Sequence, residues 1–215
     1  MQIILILIMC AVSLSCGDAA MGKSYFLSAQ NSYAAKDFEA SLDYLASAEK
    51  NNYDSLQVNF LRGKVHFMDN NFYEAEKYFR KCLKKCPEFT DAGIFLIRSL
   101  ILQKKFDAAE AVIKDYLVFN GSDYRIHYLA ALNASGLKNV KDQLGFLYSA
   151  QVYARDSWKV FFENAKIRLA LDDKKTALEN LICAKAVLPL NSRYITEINE
   201  MENQLVQETE KKESE

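Results

Sequence analysis

A short turn recurs along this chain at one fixed step. Asp37-Phe38, Asn71-Phe72, Lys105-Phe106, Asn139-Val140 and Asp173-Lys174 are each 34 residues from the next. A step held over five turns without an insertion restricts the chain to an architecture that repeats as a unit. The stretch Leu56–Phe89, LQVNFLRGKVHFMDNNFYEAEKYFRKCLKKCPEF, shows what that unit is. Gly63 stands where a small residue lets two helices approach. The Asn70-Asn71-Phe72 turn follows, and then Ala75, Phe79 and Cys82 at the i, i+4, i+7 spacing of one helix face. Pro87 ends the unit, because proline has no amide hydrogen to donate and cannot continue a helix.

The same positions return in register. The small position of the first helix is Ala29, Gly63, Ile97, Ala131 and Ala165, and that of the second is Ser41, Ala75, Ala109, Gln143 and Ala177. The last inward position is Ala48, Cys82, Tyr116, Ala150 and Ala184, and the terminal one is Tyr53, Pro87, Gly121, Arg155 and Pro189. These marks resemble the tetratricopeptide repeat, a helix-turn-helix unit with a 34-residue period. The resemblance implies an all-α fold, an α-solenoid of five repeats at 22–55, 56–89, 90–123, 124–157 and 158–191. Ile97, Tyr116 and Gln143 make the third and fourth repeats the least regular, and Gly136 and Gly145 make the fourth the expected soft one.

A stack of repeats leaves one apolar face open at its end and needs a cap with a polar outer side. Ser192 can start a capping helix over 192–208, with Ile195, Ile198, Met201 and Leu205 on one side, and 209–215 reads as a disordered tail.

The amino end reads as a targeting segment. Ile3–Leu14 is apolar and uncharged, but its 12 residues fall short of the roughly 20 that span a bilayer. It has the form of a signal peptide over 1–15, and Ser13-Leu14-Ser15-Cys16 resembles a lipobox, which implies lipidation of Cys16 followed by a linker over 16–21. A lipid anchor and a bacterial cell-envelope, periplasm-facing location are what that resemblance implies. Gly17–Ser24 also satisfies G-x-x-x-x-G-K-[ST], the nucleotide-binding P-loop pattern. That pattern needs a parallel sheet and a second strand ending in aspartate, and no plausible buried strand follows, so the segment reads as linker and helix start.

Composition bears on the partner. Net charge is −1, without the basic surplus that nucleic-acid binding needs. His66 and His127 lie in different repeats at inward positions and read as structural. Cys82 and Cys86 are too few ligands for zinc and are badly placed for a disulfide, and Cys82 and Cys183 read as small core residues. No catalytic residue, metal ligand or cofactor is expected.

In the repeat family the first helices line a groove. Here the lining positions give Phe26, Tyr33, Phe60, Phe67, Ile94, Ile101, Tyr128 and Phe162, edged by Lys64, Arg98, Arg125 and Lys166. An apolar face with a basic rim suits a protein or peptide with apolar anchors and acidic groups. The resemblance therefore implies a non-catalytic interaction scaffold in the envelope. A carrier or transporter accessory for a hydrophobic or anionic ligand is the alternative, and a P-loop nucleotide binder the third reading.

Overall fold

The computed structural model describes residues 20–153, 158–188, 192 and 194–214, with side chains as far as 208. The signal segment, Cys16, Arg155 and Pro189 lie outside the described residues. Among the described residues every regular element is a helix. The first, α1, occupies 20–34. It is followed by α2 (Phe38–Lys50), α3 (Ser55–Met68), α4 (Phe72–Lys85), α5 (Thr90–Leu102), α6 (Phe106–Phe119), α7 (Tyr124–Gly136), α8 (Val140–Tyr153), α9 (Trp158–Ala170), α10 (Lys174–Val187) and α11 (Ile195–Ser214). None of them is long and apolar enough to cross a membrane.

The recurrence seen in the sequence has a backbone cause. Lys36, Asn70, Lys104, Lys138 and Asp172 adopt left-handed φ values of 58 to 63°, one per repeat and 34 residues apart. Each closes its first helix with the same pair of hydrogen bonds. In α3, Asn70 N–H donates to Phe67 O (3.2 Å) and Asn71 N–H to His66 O (2.8 Å), and the residues around Lys36, Lys104, Lys138 and Asp172 repeat this pattern. The following residue then starts the second helix. Asp37, Asn71, Asn139 and Asp173 accept from the amides of Ala40, Glu74, Asp142 and Thr176. Lys105 has no oxygen with which to do this, and its ammonium instead reaches Glu76 at 2.9 Å.

The chain forms two compact units, Met1–Val112 and Ile113–Glu215. In the first, Ala75, Phe79, Cys82, Ala92, Leu96, Leu100 and Ala109 pack as one cluster, and Ala29, Leu45, Ala48, Val58 and Val65 as another. In the second, Ala131, Leu147, Ala150 and Val160 form one cluster, while Ala165, Ala177, Leu181 and Ala184 join Ile198 and Leu205 of α11 in another. Ile97 and Tyr116, large for their positions, are nonetheless buried.

The structure corrects several expectations. Cys183 is exposed, because its place on α10 faces away from the side that Leu181 and Ala184 bury; Cys82 is the buried thiol, and burial pushes its pKa up to about 12. Helix α11 continues to Ser214 where a disordered tail was expected from Thr209, since glutamate and lysine are good helix formers even without an apolar period. The reading of the P-loop match as linker and helix start agrees with the structure: Gly22-Lys23-Ser24 lie inside α1. Gly22 is there for packing: a Cβ on it would stand 2.8 Å from the Asn51 carbonyl oxygen.

Candidate functional site

The expected groove residues divide by depth. Phe26, Phe67, Ile94 and Phe162 are buried at 6, 7, 8 and 5% exposure, so they do not line a surface. Their rings are held by the fold itself. Phe26 stacks on Tyr53 at 4.8 Å, and Phe67 meets Phe72 and Phe95 edge-on at 5.4 and 5.3 Å. Tyr33, Phe60, Ile101 and Tyr128 are half-buried. The partners differ: Phe60 and Phe67 of α3 reach Phe95 of α5 at 6.0 and 5.3 Å, whereas Tyr33 meets Phe38 of its own repeat at 6.4 Å.

Above this floor lie the cations. Lys64 Nζ sits 4.8 Å from the centre of the Tyr33 ring and 5.8 Å from that of Phe60. One repeat later, the Arg98 guanidinium lies 4.7 Å from Phe67 and 5.2 Å from Phe95. In the second unit Lys166 Nζ is 5.4 Å from Phe162 and also pairs with Glu163 at 3.0 Å. Each stem lies along apolar surface and the charge is held over an aromatic face, an attraction of about 0.5–1 kcal/mol where water is near. Burial pushes the Tyr33 phenol pKa up, so the ring beneath Lys64 stays neutral.

Two residues do not join this arrangement. Arg125 turns to its own helix start and pairs with Asp123 at 2.7 Å. Burial alone would raise the Asp123 carboxyl, but the Arg125 hydrogen bonds and charge outweigh it and hold it below the usual carboxylate range. Tyr128 packs beside Ala131 and Leu147.

The sequence reasoning missed Phe95. It stacks on Phe79 at 5.3 Å, meets Phe60 at 6.0 Å and lies under Arg98. It falls one position after the expected lining residue Ile94, and an aromatic at that offset was the available signal. Also missed was the surround of Tyr78, with His66 stacked on it at 5.5 Å and Lys81, Arg62 and Lys77 at 4.6, 5.3 and 5.7 Å. The described residues contain no group of His, Cys, Asp and Glu arranged to hold a metal ion.

Helix pairs closed by identical turns at a 34-residue step, with small residues where the helices cross, define a tetratricopeptide-repeat fold. Solved structures bear this out. The chain superposes on MamA (residues 41 to the end) from Desulfovibrio magneticus RS-1 with a TM-score of 0.67 at 20% identity, covering 78% of this chain and 94% of that one. TTC0263, a thermophilic tetratricopeptide-repeat protein of Thermus thermophilus, gives 0.67 at 14% identity over 86% of this chain and 99% of that one. YrrB, described as a tetratricopeptide-repeat protein with an unusual peptide-binding site, gives 0.57 at 17% identity over 78% and 86%. No family model and no curated protein matches the sequence.

Proposed function

We propose that this protein is a non-catalytic interaction scaffold of the bacterial cell envelope, held at the membrane by a lipid on Cys16, and that its first-helix face binds an acidic segment of a partner protein. The observation that carries this reading is the placement of Lys64 over Tyr33 and Phe60 and of Arg98 over Phe67 and Phe95. A charge whose stem already rests on a ring loses little freedom when it meets a carboxylate, so the cost of ordering it on binding is low. The peptide-binding site named for YrrB supports a peptide as the occupant.

An immobilised array of acidic and basic peptides tests the face. Acidic peptides bind, and Lys64→Glu with Arg98→Glu abolishes their binding while leaving the helical circular dichroism unchanged. Binding that survives the double reversal sinks the proposal. Phe60→Ala with Phe67→Ala is not an equivalent test, because Phe67 is buried and half-buried Phe60 packs against the same cluster, so their loss destabilises the fold as well. The anchor is tested apart: Cys16→Ser stops incorporation of labelled fatty acid, and continued labelling refutes it.

A further inference from the structure

We propose that the Asn120-Gly121 turn between α6 and α7 is a site of spontaneous side-chain deamidation that converts Asn120 to aspartate and isoaspartate in the folded protein. Asn-Gly occurs once in the sequence. Asparagine side chains lie within reach of the backbone that follows them, and glycine offers no Cβ to block the approach. Two groups must be available to each other: the Gly121 amide nitrogen as nucleophile and the Asn120 side-chain carbon as electrophile. Both residues are half-buried rather than enclosed. The turn's hydrogen bonds engage other atoms. Asn120 N–H donates to Tyr116 O at 2.7 Å, Asp123 N–H donates to Asn120 O at 2.9 Å, and the Gly121 carbonyl meets His127 Nε2 at 2.7 Å. Among the described residues nothing bonds the Gly121 N–H or the Asn120 side-chain amide.

The step balances without a co-reactant other than water. The Gly121 nitrogen gives up its proton and forms a bond to Asn120 Cγ; the Cγ–Nδ2 bond breaks and ammonia leaves with the proton, closing a succinimide. Water then opens the ring on either side. Opening at Cγ leaves aspartate, and opening at the main-chain carbonyl leaves isoaspartate, with the backbone rerouted through the side chain.

Either product places a second carboxylate in a turn whose Asp123 is already occupied by Arg125. The rerouted backbone also displaces the Gly121 carbonyl, and with it the hydrogen bond of His127. The other ring nitrogen of His127, Nδ1, is buried with no partner, so isoaspartate leaves this imidazole without either bond.

The full chain is incubated at mildly alkaline pH, folded and in urea, and asparagine-containing peptides are compared by mass spectrometry with isoaspartate detection. In the folded protein the Asn120 peptide gains the mass difference between water and ammonia faster than every other asparagine peptide, and the product disappears in Asn120→Gln. The His127 ring signals in the NMR spectrum shift in step with product formation. Product at Asn120 only in urea, conversion spread evenly over other asparagines, or unmoved His127 signals in converted protein would overturn the proposal.

Discussion

The two compact units keep one repeat register while burying different material. In Met1–Val112 the interior is a run of rings: Phe60, Phe67, Phe79, Phe89 and Phe95 lie 4.6 to 6.0 Å from a neighbouring ring in the group. Such pairs add about 0.5–1.5 kcal/mol each beyond the area they bury. In Ile113–Glu215 the interior is mainly aliphatic, with Ile126, Leu147, Val160, Leu181 and several alanines around the two buried rings Tyr116 and Phe162, and it also takes in amides. Asn164 and Asn180 are buried at 5 and 8% exposure, and the Asn164 side-chain oxygen has no hydrogen-bond partner. The outer faces differ as well. Helix α4 turns Lys77, Arg80, Lys81 and Lys84 to solvent, while the equivalent face of α8 carries Gly145, Tyr148 and Val152. Turns and small residues at helix crossings are therefore enough to hold the register, and stability is left to whatever fills the space between.

The largest expected effect tests that division. Phe79→Ala removes a fully buried ring on which Phe60, Phe95 and Gly63 all rest, and costs about 3–5 kcal/mol. Leu147→Ala in the alanine-rich cluster costs less, toward the lower end of the range of about 2–5 kcal/mol for such truncations. Urea unfolding of both variants checks the order, and equal losses would break the contrast.

Glycine sharpens it further. A Cβ at Gly63 would stand 2.7 Å from Phe79 Cε1, so Gly63→Ala pushes the central ring and destabilises by about 1–3 kcal/mol. A Cβ at Gly145 meets nothing within 4 Å, and Gly145→Ala stabilises α8 by about 1 kcal/mol through helix propensity alone. Opposite signs in thermal melting are the expected result. Asn164→Leu, of similar shape, removes an oxygen that has no partner and gains about 1 kcal/mol. A loss would show that the amide is needed where it stands.

The repeat and its fold were legible because they are local. A turn that demands a left-handed residue and a cap, followed by a small residue, is written within a few positions of sequence. The site was legible only in part, because depth is not local. Periodicity places Phe67 and Phe162 on the correct side of their helices, but whether such a ring lies on the surface or beneath a cation depends on the spacing between helices. That spacing is set in the first unit by Gly63 of α3 against Phe79 of α4, a contact between two helices that neither helix's own periodicity displays. Phe95 was overlooked for the same reason, since its neighbours come from α3 and α4.

Acid provides the smallest and most localised test. Burial lowers the pKa of His66 below its ordinary 6.5, and the nearby charges partly cancel: Glu74 and Asp69 raise it, whereas Arg62 and Lys77 lower it. Below 6.5 the unfolded chain therefore holds more proton at this site than the folded one, and stability falls with pH until the folded value is passed. The contribution is complete above 6.5 and small, because the ring is only partly buried and solvent screens it. Glu76 acts in a separate, lower window. Burial tends to raise its carboxyl, but hydrogen bonds from Lys105, Arg80 and Gln103 outweigh that and hold it below 4.5, so its share is lost only as pH falls through that lowered value. Unfolding measured across this range, for the native chain and for His66→Gln, separates the two. The variant loses the slope just below 6.5 and keeps the one at lower pH. A slope unchanged by the substitution would place the acid sensitivity outside the His66–Tyr78 stack.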